Sequence, residues 1–264
     1  MGGKRLRAEV LLAVAASPPA PSPPSSDRLG VLPGLVRDLL ADPLLVASLP
    51  EDLPRLLALL PGADLYLQDE VEVALHPTLS RVWCAKGRRG QRLVEAPGKN
   101  DKRYGFGLVD WRTGWFDWSL ETGRCAVPFC AQLRRALERS ARRHRIALVL
   151  CDNLSIHTPR GSRLLRDLLA EVNATRERLV LVYTPAYDPD ANRIEWLWRA
   201  LRRAVTHCHT RTTLDPLLAD ADAWATALAP ASVLAHIGSP CTPPRVTRPR
   251  ALRPARPPAL TLAA

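Results

Sequence analysis

Residues 146–150 (IALVL) and 179–182 (LVLV) are short, wholly apolar runs, each bounded by amphipathic segments. "VPFCAQLRRALERSARRH" precedes the first, "GSRLLRDLLAEVN" separates the two, and "ANRIEWLWRALRRAVTHC" follows the second. A short run that is apolar on both faces fits a strand covered on both sides, and strands joined through helices run parallel. Upstream, "DLYLQDEVEVAL" alternates in part and reads as a strand, and "RVWCAKG" reads as a shorter one. "KRYGFGLVDWRTGWFDWSLETG" reads as two strands turning around Arg112, Thr113 and Gly114. With the short run "RVWCAKG" set aside, the order is strand–strand–strand–helix–strand–helix–strand–helix, an antiparallel hairpin followed by helix-linked parallel strands. It predicts an α/β protein with a mixed sheet flanked by helices.

This order resembles the ribonuclease-H-like architecture. One domain is expected over residues 61–238. Residues 1–30 include the Pro/Ser-rich stretch "SPPAPSPPSS" and are expected to be disordered. Residues 31–60 are Leu-rich, interrupted by Pro43, Pro50 and Pro54, and fit short helices. Residues 239–264 carry five Arg, seven Pro and no acid, a composition for a disordered basic tail. The formal charge of +11 and a pI near 10 favour a polyanionic partner, with nucleic acid first. None of the six Cys forms a C-x-x-C pair, which argues against a zinc ribbon or a redox motif. No apolar run reaches the ~18 residues of a membrane span. The start "KRLRAEVLLAVAAS" imitates a signal peptide but is interrupted by Glu9, so a cytoplasmic protein is expected.

Three acids stand at element ends: Asp69 in the first strand, Asp152 after "IALVLC", and Glu195 at the start of the last long helix. Period two puts Asp152 on the face of Ile146, Leu148 and Leu150, where an isolated carboxylate is costly unless paired, hydrogen-bonded or metal-bound. Converging carboxylates repel one another, and a divalent cation relieves that repulsion. Plainer roles stay open from the residues alone. Asp152 could cap a following helix. "NRIE" could be a capping box, with Asn192 at the cap and Glu195 three residues on. Asp69 and Glu70 point to opposite strand faces, so only one of them can serve a shared site, and either could be a solvated acid.

The motifs add to this. "DE" after an apolar strand, "W-x-x-K-G" from Trp83 to Gly87, "CDN-x-x-I-H" and "YTPAYDPDANRIEWLW" together resemble the bacterial insertion-sequence branch of the mariner superfamily, the DDE transposases. The resemblance covers roughly residues 64–211. It implies that Asp69, Asp152 and Glu195 are the catalytic acids and the metal ligands, holding two Mg²⁺ or Mn²⁺ ions. It implies hydrolytic cutting of DNA at element ends, followed by attack of the freed 3′-hydroxyl on target DNA. No helix-turn-helix is recognised before Asp64, so the N-terminal recognition region of such proteins is expected to be missing.

Lys86, Arg88 and Arg89 follow the short strand, and Lys102 and Arg103 open the hairpin. With Arg199 on the Glu195 helix, they are the candidate contacts to a phosphate backbone. A solvated loop, or an ion pair from Arg199 to Glu195 four residues before it, would explain them equally. Most of Trp111, Trp115, Trp118, Trp196 and Trp198 are expected in the core. Double-stranded DNA is the expected partner, with a homodimer as the expected assembly and no membrane. The alternative to an active enzyme is a catalytically idle DNA-binding remnant. A nuclease for RNA–DNA hybrids fits the architecture but not the "YDPDANRIE" motif.

Overall fold

The protein is described from a computed structural model covering residues 62–81, 98–184 and 191–239, together with residues 59, 86 and 94. Strands β1 (Ala63–Ala74), β2 (Lys102–Asp110) and β3 (Phe116–Glu121) come first. Helix α1 (Ala126–Ala141), strand β4 (Ile146–Cys151), helix α2 (Arg163–Val172) and strand β5 (Leu179–Tyr183) follow. Helices α3 (Ile194–Leu201), α4 (Leu214–Thr226) and α5 (Pro230–Ile237) close the described chain.

The five strands form one sheet in the order β3-β2-β1-β4-β5. β2 is antiparallel to both β1 and β3, whereas β4 lies parallel to β1 and to β5. This is the mixed, ribonuclease-H-like sheet that the element order predicts. The expected strand over "RVWCAKG" falls largely outside the described residues, as do the expectations for residues 1–58 and 240–264.

Period two divides the strands between two cores. Tyr66, Phe106, Leu108, Ala147, Val149 and Cys151 pack with α1 and α2 through Phe129, Leu133, Leu165 and Leu168. Leu65, Leu67, Leu148, Leu150, Val180 and Val182 pack with α3, α4 and α5 through Ile194, Trp198, Leu217 and Ile237. Every core residue of β4 is thus used on one face or the other, which is why that segment shows no polar alternation. The long helix expected over residues 191–208 is α-helical only in α3. From Arg202 to Thr206 it is wound as a π-helix. α4 and α5 are additional to the expected elements.

The end of the sheet where β1 begins is closed by charge. Asp110, almost fully buried, accepts from the backbone N–H of Arg112 and Thr113, both at 3.0 Å, which pins the β2–β3 turn. Arg143 lies 3.2 Å from Asp110 and 3.0 Å from Asp64, and Arg145 donates to Asp64 at 2.7 Å. Both acids have guanidinium partners, as burial of a carboxylate requires.

β2 also makes room for two indoles. A Cβ on Gly105 would stand 2.0 Å from the Trp118 ring, and one on Gly107 would stand 2.3 Å from the Trp198 ring. Trp198 is fully buried and sits 5.8 Å from Trp118, centroid to centroid. We expect Gly107→Ala to lower stability by about 1–3 kcal/mol, the range for overpacking a filled core. It should also shift tryptophan emission as Trp198 is displaced. Denaturant melts followed by fluorescence test both effects, and an unchanged midpoint would mean that the ring has room to move.

Candidate active site

The parallel register sets the first part of the site. Leu67 pairs with Leu150 across β1 and β4, and Asp69 and Asp152 each lie two residues further on. Period two aims Asp69 towards the face covered by α3, whereas Asp152, just past the end of β4, turns its carboxylate to His157. Asp69 is half-buried, and its Oδ2 accepts from Trp198 Nε1 at 3.0 Å. Burial pushes the Asp69 carboxyl well above the ordinary range, and the charges of Glu195, Glu70 and Asp152 push in the same direction. The acids singled out from the sequence are thus electrostatic neighbours of one another.

Glu70 faces the opposite side of the sheet and is buried. Its Oε1 accepts from Gln68 Nε2 at 3.0 Å and lies 2.9 Å from His157 Nε2. The other ring nitrogen of His157, Nδ1, lies 2.5 Å from Asp152 Oδ1. With a carboxylate oxygen at each ring nitrogen, the imidazolium form can donate to both. Burial pulls the His157 pKa down, but the hydrogen bonds from its ring to Asp152 and Glu70 outweigh this and bring it up to about 9. Burial pushes Asp152 up, and the His157 bond and charge hold it below the ordinary carboxylate range. His157 is fully buried, its ring 4.2 Å from that of Phe129, and Tyr183 donates its hydroxyl to the His157 carbonyl at 2.8 Å.

Asp152 does accept a backbone bond of the capping type, from Leu154 N at 3.1 Å, ahead of the short 3₁₀ turn Ser155–His157. That bond and the His157 contact use the same oxygen, Oδ1. The capping box does not form: the residue preceding α3 is Arg193, whose side chain makes no cap bond, and Asn192 Oδ1 accepts from Ile194 N at 3.4 Å rather than from Glu195 N. Asn192 also donates from Nδ2 to the backbone carbonyl of Gln68 at 2.9 Å, tying the start of α3 to β1 beside Asp69. Glu195 lies in the first turn of α3 and forms an ion pair with Arg202, 3.7 Å from Oε2. Arg199 is exposed on the same helix.

Among the described residues, no group of three His, Cys, Asp or Glu forms a ready metal cage. Each acid leans on a different neighbour: Asp69 on Trp198, Asp152 on His157 and Glu195 on Arg202. The donor set is nevertheless all carboxylate oxygen, the chemistry of Mg²⁺ and Mn²⁺ rather than of zinc or copper.

Of the candidate phosphate contacts, Lys86 is exposed, and Lys102 is exposed and paired with Glu72 at 2.9 Å. Arg103 donates to the Lys102 carbonyl at 2.9 Å. Arg88 and Arg89 lie outside the described residues, as do residues 185–190 of the "YTPAYDPDANRIEWLW" motif. Trp111 and Trp198 are core residues, and Trp118 packs against the same cluster. The roles of His157, Trp198 and Asn192 were not read from the sequence. His157 had a signal, the fixed interval between Asp152 and the histidine of "DN-x-x-I-H".

A family model described as DDE superfamily endonuclease matches residues 64–217, more than half of the chain. The chain belongs to this family. It is also 29% identical over 153 residues to the insertion element IS630 uncharacterized 39 kDa protein of Shigella sonnei. That match covers 58% of this chain and 42% of that protein, so the chain spans less than half the length of the relative. Among solved structures, the mariner Mos1 paired end complex with Mg is 18% identical, with a TM-score of 0.49 over 66% of this chain and 51% of that one. The catalytic domain of Mos1 mariner transposase is 19% identical, with a TM-score of 0.44 over 66% and 75%. Both structural similarities are too low to carry function across. In this DDE-family chain, no helix among the described residues is long and apolar enough to cross a membrane.

The raised Asp69 pKa has a sign that can be checked. A carboxyl easier to protonate folded than unfolded supports the fold most below its unfolded pKa, and that support is lost as pH rises through the folded value. Asp69→Asn should therefore match the wild type near pH 3 and melt higher at neutral pH in chelated buffer. The gain should be roughly 2–4 °C, the scale of 1 kcal/mol in a domain of this size. Added Mg²⁺ should raise the wild-type Tm more than that of the variant. Parallel melts across pH test this, and an Asp69→Asn Tm below the wild type at pH 7 would contradict it.

Proposed function

We propose that this chain is a divalent-metal-dependent DNA endonuclease and strand transferase of the transposase type. Asp69, Asp152 and Glu195 are its metal ligands and catalytic acids. The observation that carries the reading is the cluster itself: a half-buried Asp69 whose ionisation is opposed by Glu195, Glu70 and Asp152. Family membership and the motif resemblance support the same assignment.

When bound, two Mg²⁺ or Mn²⁺ ions would supply charge for an in-line displacement at phosphorus, activating the attacking oxygen and stabilising the leaving one. The residues of the chain prepare that chemistry. Trp198 holds Asp69 through Oδ2, and His157 and the Leu154 amide hold Asp152 through Oδ1. Asn192 anchors the helix that carries Glu195 to the strand that carries Asp69. Fixing the ligands in this way spares them reorganisation during the reaction. Lys86, Arg88, Arg89, Lys102, Arg103 and Arg199 are the proposed contacts to the backbone of double-stranded DNA, with two copies of the chain acting as a homodimer. Residues 61–238 form the catalytic domain in this reading, with the strongly basic tail adding unspecific attraction.

Asp152→Ala should abolish Mg²⁺-dependent nicking of supercoiled plasmid while leaving the chain folded, with a lower Tm because His157 loses one of its two carboxylate partners. Gel conversion of supercoiled to open-circular plasmid measures it. Full nicking by the purified variant would remove Asp152 from the reaction. A wild-type chain that binds DNA and never nicks it under Mg²⁺ or Mn²⁺ would favour the idle remnant.

A further inference from the structure

Beyond the acids, α3 continues into a groove of about 660 Å³ between α3, the π-helical turn, α4 and α5. Trp196, Arg199, Arg203, Trp224 and His236 supply its walls, and Ala200, Ala204 and Ala235 leave its floor open. No acid lines it. Arg203 has no acid partner among the described residues and is exposed. Trp196 is held as a fixed wall, with the Arg193 guanidinium 4.2 Å above its ring and Gly238 packed so close that a Cβ there would stand 2.8 Å from it. Trp224 is half-buried, its ring 6.3 Å from that of His236.

The geometry points to a binding site for single-stranded DNA in this groove, with Arg203 on a phosphate and Trp224 stacked on a base. Paired guanidinium and indole surfaces with no competing acid suit a polymer that carries an anion and a flat π-face in every unit. The volume holds roughly one or two nucleotides, on the scale of ordinary ligand sites. A duplex keeps its bases stacked inside and has none to offer Trp224. Glu195, Arg199 and Arg203 follow at intervals of four residues, about 6 Å each along a helix. That spacing is comparable with the separation of successive phosphates on an extended strand. The π-helical turn re-aims Arg203 relative to a plain α-helix, and such turns are frequent at functional sites. A strand lying in the groove would thus continue from the acid cluster, as an end freed by cutting would. Only that last point rests on the proposed DNA cutting. Binding in the groove does not.

The test is anisotropy titration of the full chain with a short fluorescent oligo(dT), in metal-free buffer, across a range of salt. Trp224→Ala should weaken binding by roughly 5- to 150-fold, the worth of one stacked base, with the salt slope unchanged. Trp224→Phe should restore most of the affinity. Arg203→Gln should lower the log–log salt slope by about 0.7, the loss of one single-strand phosphate contact. Wild-type affinity in folded Trp224→Ala, or an unchanged slope in Arg203→Gln, would overturn the proposal. Equal losses for oligo(dT) and duplex would overturn its single-strand assignment, and a change in sedimentation without a change in DNA binding would give the groove to a second copy of the chain. Should Trp224→Ala fail to fold, Trp224→Phe and Arg203→Gln still decide. Oligo(dT) binding is read in metal-free buffer, where no cutting takes place, so failure of the catalytic reading and failure of the groove are separable.

Discussion

Repulsion among Asp69, Glu70, Asp152 and Glu195 is the constraint around which one end of the sheet is organised. Four carboxylates in mutual electrostatic reach oppose folding unless each is paired, hydrogen-bonded or bound to a cation. The fold answers part of the cost with a single buried cation. His157 sits between Glu70 and Asp152, and its charged form is favoured because both ring nitrogens meet carboxylate oxygens. Asp69 receives only a neutral donor, Trp198, and its carboxyl remains pushed up. The uncompensated charge is therefore concentrated on Asp69 and its approach to Glu195, which is where a divalent ion would bring most relief.

The opposite end of the same strands shows what compensation looks like when no ligand is called for. Among the described residues, Asp64 and Asp110 are as buried as any acid, and Arg143 and Arg145 meet them directly. One edge of the sheet is closed by ion pairs and the other is left acidic.

Much of this was legible in the sequence, for identifiable reasons. β4 and β5 were readable because both of their faces are buried, so their residues form unbroken apolar runs. α1 and α2 were readable from their amphipathic period. α4 was not: "LDPLLADADAWAT" is Ala-rich and has a proline in its first turn, so its pattern is weak. The break of the last long helix into α-helical and π-helical parts left no mark on its periodicity. In the site, the interval of two between Leu67 and Asp69 placed that acid on the α3 face once the register was known, whereas Asp152 lies past the end of β4 and its carboxylate is held by His157. His157 lies 87 residues from Glu70, and Asn192 lies 124 from Gln68. Contacts across such separations depend on how strands and helices dock, which local period does not encode.

The central claim is that Asp69, Asp152 and Glu195 form one divalent-cation site. Anomalous diffraction from crystals of the chain soaked in Mn²⁺ tests it most directly. The account predicts manganese density bounded by these three carboxylates, with Glu195 turned away from Arg202 and His157 still bridging Glu70 to Asp152. Manganese bound elsewhere, or no anomalous density among the three acids at saturating Mn²⁺, would contradict it.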